Sequence, residues 1–239
     1  MARAPRPRRS LIAVGASGLL LFATLLLGGS VAVPHDSTGE QVRRYLERNM
    51  DALGLQVLGA TLGFAAVLAL LVALRSAIRV ASPDRSESGH VWVDVATVGG
   101  VLTALWFWVT AALDMIPLVA ADEAGKLNEY NDATLLGLDL FGRLGETFGD
   151  VATVPRGMFV LAVSMLLIRT RLVPRWVGHL GLVVAAASLV SVLGMGWDVV
   201  ALSIAWFVGL FGFVLWLLCL ALSALVRGLR RDPETTTVG

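Results

Sequence analysis

The sequence predicts an all-α, polytopic membrane protein, with six transmembrane helices, amphipathic helices on the outer face, and one integral membrane domain over residues 1–239. Three observations carry that prediction. The 239 residues are 56% hydrophobic and only 15% charged, with a mean hydropathy of +0.77, whereas a soluble domain is about a quarter charged. The apolar residues come in runs near the ~20 that a helix needs to cross a ~30 Å hydrocarbon core. The charges between the runs are sorted by sign. A disordered chain and a water-soluble globule are excluded, and the single Cys219 excludes a disulfide-stapled domain. A net charge of +1 gives no overall basic footprint for nucleic acid.

The first span, 11–33, is free of charge; the second is 53–74; the third, 92–120, carries Asp94 and Asp114. The fifth and sixth, 176–196 and 199–226, leave room only for a tight turn at Trp197-Asp198. The fourth is apolar over 155–168 apart from Arg156, which gives about 21 Å of helix, so its start must reach back to residue 148. Arginines fix the orientation. Arg3, Arg6, Arg8 and Arg9 precede the first span, Arg75, Arg79 and Arg85 follow the second, Arg169, Arg171 and Arg175 follow the fourth, and Arg227, Arg230 and Arg231 follow the sixth. These segments share one side, which is therefore read as the cytoplasm, with tails 1–10 and 227–239 inside a cell membrane. Arg8-Arg9-Ser10-Leu11-Ile12 resembles a twin-arginine export signal, with Ser30-Val31-Ala32 as a cleavage site. The apolar run exceeds signal-peptide length, so an uncleaved anchor is expected.

Outside the spans, Ser37 and Glu40 have capping-box spacing for a helix from about Thr38. Val42, Tyr45, Leu46 and Met50 would form its apolar stripe, and Glu40 would pair with Arg44. A lead-in lying on lipid headgroups is favoured over a lid on a cavity. In residues 132–153, Asp139, Arg143, Glu146 and Asp150 fall within one narrow arc of a helical wheel, opposite Leu138, Leu140, Phe141, Leu144, Phe148 and Val151. The stripe either faces a cavity as an ion or proton path, or the helix rests at the outer interface with its leucines in lipid. Length favours the interfacial or capping position. So does energy, because four such groups facing lipid at mid-bilayer would cost on the order of 10 kcal/mol.

Within the spans, Asp114 lies three residues before Pro117, which frees the carbonyl of Leu113. Arg156 beside Pro155 is its natural partner, or that of Asp150, with structural pairing as the default reading. Gly59 with Gly63, and Gly178 with Gly181, would let helices approach closely. Trp92, Trp176 and Trp197 fall at interfaces, while Trp106, Trp108, Trp206 and Trp216 are read as packing. Only His35, His90 and His179 are present, with no metal-ligand spacing and no phosphate or dinucleotide fingerprint, so neither metal nor cofactor is expected. Gly15-Ala16-Ser17-Gly18 matches the GxSG of rhomboid proteases, but it sits in the first span and nothing else of that pattern appears. These residues read as packing, and no catalytic residue is assigned.

The run Leu167-Ile168-Arg169-Thr170-Arg171-Leu172-Val173-Pro174-Arg175-Trp176-Val177-Gly178-His179-Leu180-Gly181-Leu182 resembles a segment of a large group of uncharacterised bacterial six-span membrane proteins. Arg44-Tyr45-Leu46-Glu47-Arg48-Asn49 and Pro155 are similar to that group too, whereas His179 stands where a tryptophan is usual. The resemblance implies location and architecture, and the group carries no established activity. The expected function is a non-enzymatic accessory, envelope-associated or partner-binding membrane component. The expected partners are the lipid bilayer and another membrane protein or a second copy. The alternative is a small transporter or ion-coupled permease using the polar network of Asp114, Asp139, Arg143, Glu146, Asp150 and Arg156.

Overall fold

The computed structural model describes residues 8–27, 38–81, 87–122, 126–195 and 200–230. Ser30–Ala32, Ser37 and Trp197, on which the cleavage, capping and interface readings fell, lie outside them. The helices are α1 (Arg8–Leu27), α2 (Gly39–Ala81), α3 (Glu87–Asp122), α4 (Asp132–Val151), α5 (Thr153–Thr170), α6 (Arg175–Ser191) and α7 (Val200–Leu229), with short 3-10 turns at Lys126–Asn128 and Val192–Met195. The fold is that of an all-helical polytopic membrane protein. Five helices (α1, α2, α3, α5 and α7) are long and apolar enough to cross a bilayer. Helix α6 has 17 residues, about 25 Å, and its 3-10 extension adds about 8 Å, which together match the ~30 Å core. Five long helices thus stand where six spans are expected, with α6 as a shorter apolar helix at the place of the fifth.

The helices pack as a ring in chain order: α1 on α2, α2 on α3, α3 on α5, α5 on α6, α6 on α7, and α7 back on α1. Leu70, Phe159, Leu167, Phe213, Trp216 and Leu217 fill its interior, fully buried. Glycines let the walls close. A Cβ on Gly99 would lie 2.8 Å from the Phe159 backbone nitrogen, so α3 and α5 touch nearly backbone to backbone. Gly63 receives the Phe107 ring of α3, and Gly178 and Gly181 of α6 take Ile168 and Ser164 of α5, as the small-residue spacings anticipate. Arg8 Nε donates to the Gly228 carbonyl (2.9 Å), and Ser10 and Ser76 hydroxyls bond at 2.9 Å. The start of α1 and the ends of α2 and α7 thus meet at one end of the bundle, here the termini end.

At the far end the spans run on as a cap. Helix α2 has 43 residues, about 64 Å, with non-helical angles at Asn49 (φ −119°, ψ 15°). The Asn49 side-chain amide donates to the Tyr45 carbonyl at 2.8 Å, inserting a side chain into the ladder, which is how a side chain bends a helix. The lead-in helix and the second span are thus two parts of one kinked rod. Its cap lies one residue later than the Ser37–Glu40 spacing suggests: Thr38 N–H donates to Gln41 Oε1 at 2.8 Å. Val42, Leu46 and Leu53 pack on Leu127, Leu135 and Leu138 as a second apolar core. The expected rest on headgroups is corrected accordingly, since the lead-in helix lays Val42 and Leu46 on the first turns of α4 and on Leu127. The fourth crossing is corrected too. Residue 148 belongs to α4 and the apolar helix α5 starts at Thr153, with a one-residue turn at Ala152 between them whose N–H still donates to the Phe148 carbonyl (2.9 Å).

Candidate functional site

Helix α4 begins at Asn131, whose Oδ1 accepts from the Thr134 N–H (2.9 Å) and hydroxyl (3.0 Å). Its first residue lies against Gly39, so α2 and α4 start side by side. From there α4 descends along α3 and α2. Leu140, Leu144, Phe148 and Val151 are exposed, whereas Asp139 is only 8% exposed. Asp139 therefore faces the protein, while Leu140, Leu144, Phe148 and Val151 face outward, the reverse of a helix lying flat with its charges in the headgroups. The physical reason is the solvent. In hydrocarbon the outward side must be apolar, and charges cost far less against polar neighbours than against lipid.

Those neighbours come from α2 and α3. Asp114 is 4% exposed, and its Oδ2 accepts from Gln56 Nε2 of α2 at 2.9 Å. A Cβ on Gly145 of α4 would lie 3.4 Å from Asp114 Oδ1 and 3.9 Å from Thr110 Cγ2, so the missing side chain brings α4 onto the carboxylate. One stripe position higher, Arg143 Nε donates to Asp139 Oδ2 at 2.7 Å. This is a charge-assisted bond of the kind that holds both ions in a low-dielectric site. Below the stripe, Arg156 is 5% exposed in the first turn of α5, its guanidinium 5.7 Å from the Phe213 ring centroid of α7. Glu146 and Asp150 continue the register on α4, but their side chains lie outside the described residues.

Asp114, Asp139, Arg143 and Arg156 are thus all on the protein side of their helices. The first three sit around the α2–α3–α4 junction, and Arg156 faces α7. Trp106, Thr110 and Asp114 repeat every four residues on α3, and the Trp106 Nε1 and Thr110 Oγ1 atoms are buried without a hydrogen-bond partner among the described residues. Sequence reasoning missed Gln56, although it is an amide within an apolar run. It also missed Arg43, having singled out Arg44. Arg43 Nε and Nη2 donate to the Leu127 and Tyr130 carbonyls (3.0 and 3.2 Å), clamping the loop over the cap, while Nη1 pairs with Glu40 at 2.9 Å. The expected Glu40–Arg44 pair is present at 3.0 Å. Among the described residues no group of three His, Cys, Asp or Glu could hold a metal ion.

One family, described as a domain of unknown function (DUF4386), matches residues 11–220. No curated protein and no solved structure matches the chain.

Proposed function

The chain belongs to the DUF4386 family, a domain of unknown function, and from that premise we propose an ion-coupled permease whose working part is the inward stripe of α4. The observation that carries this reading is the burial of Asp139, against exposed Leu140 and Leu144 on the same helix. Ionisable groups kept inside a membrane bundle and off the lipid are costly unless they serve a path or a ligand. Asp114, 4% exposed and with α4 brought onto its carboxylate at Gly145, is the group suited to exchange a proton or a small cation. Asp139–Arg143 sits above it as the charged entry. In this reading the arginine-rich termini end faces the cytoplasm of a bacterial cell and the cap faces outward. No covalent step is part of it.

The test is flux in proteoliposomes holding a pH-sensitive dye, with proton movement driven by a potassium-diffusion potential. Wild-type vesicles acidify, and Asp114→Asn slows this at least tenfold while the detergent melting temperature stays within a few degrees. Flux no greater than in empty vesicles overturns the proposal. A second reading, a non-enzymatic partner-binding component, is favoured by the solid ring interior around Trp216, Phe159 and Leu70. It predicts that one membrane protein copurifies in constant ratio and that Asp114→Asn leaves this ratio unchanged.

A further inference from the structure

The termini end carries a different chemistry. Helices α2, α5 and α7 all end there, and each brings arginine to its last turn or just beyond it: Arg79, Arg171, and Arg227 with Arg230. Cations at these carbonyl ends follow from the helix dipole, and two arginines do act as caps. Arg227 Nη1 donates to the Arg171 carbonyl at 2.7 Å, and Arg8 Nε to that of Gly228. The dipole does not explain Arg175, which opens α6 at the unfavourable positive end. Nor does it explain why Arg171, Arg175, Arg227 and Arg230 are all exposed and none has a carboxylate within ion-pair range among the described residues. Arg171 is also held at φ 54°, a left-handed conformation that costs a non-glycine residue energy. Trp176, beside Arg175, is 54% exposed, an amphipathic ring placed where a bilayer interface would meet it.

Several cations without a counter-ion among the described residues, an exposed indole and the rim of a bundle make a surface for an anion that is itself anchored at the interface. We propose that the junction of the α5–α6 turn with the end of α7 binds the phosphate headgroup of an anionic phospholipid, through Arg171, Arg175, Arg227 and Arg230. The acyl chains lie along the exposed apolar faces of α6 and α7, where Val183, Leu222 and Val226 are uncovered. Basic sites between helices on one membrane face recognise such headgroups by charge. This site is independent of the α4 stripe and stands or falls separately.

The experiment uses the full chain in neutral detergent and in nanodiscs, with phosphatidylglycerol, phosphatidylcholine and inorganic phosphate as probes, read by native mass spectrometry and by melting temperature. Phosphatidylglycerol is retained and raises the melting temperature, phosphatidylcholine does neither, and retention falls with added salt. Arg175→Gln with Arg230→Gln, two groups that make no side-chain bond among the described residues, weakens phosphatidylglycerol retention about thirty-fold, several-fold per lost charge. Arg48→Gln at the opposite end leaves it unchanged. Equal retention of the two lipids overturns the proposal. So does a double variant that binds like wild type with an unchanged melting curve. Stabilisation by inorganic phosphate equal to that by the lipid also overturns it, because the site would then be one for a free anion.

Discussion

Glu40–Arg44 and Asp139–Arg143 share a spacing of four residues on a helix and differ in surroundings. The first pair is exposed on the cap, with half or more of each side chain open, and such pairs contribute about 0–1 kcal/mol. In the second the Asp139 side chain is 6% open and that of Arg143 about a third. Losing the carboxylate there leaves a partly buried guanidinium to find other partners. Asp139→Asn is expected to lower stability by about 1–2 kcal/mol, discounted for the partial exposure of Arg143, and Glu40→Gln by under about 0.5 kcal/mol. Unfolding in neutral detergent, followed by tryptophan fluorescence, measures both; equal losses would contradict the burial argument. Arg171, alone among the described non-glycine residues, has a positive φ. Arg171→Gly is expected to leave stability unchanged or raise it by up to about 1 kcal/mol, and Arg171→Val to lower it by about 1–2 kcal/mol. The spacing of Glu40 and Arg44 could be read without a structure. The burial of Asp139 could not, because one helical wheel describes a stripe equally well whether lipid or protein lies beyond it.

At the scale of helices, glycine serves two purposes in this chain, and substitution separates them. Gly142 lies inside α4 with nothing near its missing Cβ, whereas a Cβ on Gly181 of α6 would meet Ser164 of α5 and the Trp216 indole nitrogen of α7 at once. Gly142→Ala is therefore expected to stabilise by about 0.5–1 kcal/mol through helix propensity. Gly181→Ala is expected to cost about 1–3 kcal/mol through overpacking, and adding Ser164→Gly should recover part of that loss. Chemical denaturation of the three variants decides it; a neutral Gly181→Ala would mean that α6 is free to move away. The apolar runs and the Gly178–Gly181 spacing made the helices and one of their contacts legible. Where the fourth crossing begins was not legible, because nothing in the residues Val151 to Thr153 marks the turn at Ala152 where α4 gives way to α5.

The whole molecule has two cores in two solvents. The ring interior is bounded by lipid-facing side chains, whereas the cap core of Val42, Leu46, Leu53, Leu127, Leu135 and Leu138 joins the first third of α2 to the top of α4 over the far end of α3. Kinked at Asn49 and clamped by Arg43, the cap can open without unseating a span, since its contacts are separate from those that close the ring through α1 and α7. Local opening at lower free energy than global unfolding is expected for such a unit. In a bilayer the difference is enlarged, because amides of the ring have no water to exchange with. Hydrogen exchange in nanodiscs is accordingly expected to label 39–52 and 126–138 well before 60–78 and 157–167. Leu135→Ala should speed exchange in the first two segments alone, at a local cost of about 2–4 kcal/mol. Phe159→Ala, at the ring centre, should instead lower the melting temperature of the whole chain. If Leu135→Ala sped exchange in the ring as much as in the cap, the two cores would be one cooperative unit, and the charged stripe between them could not be uncovered by the cap alone.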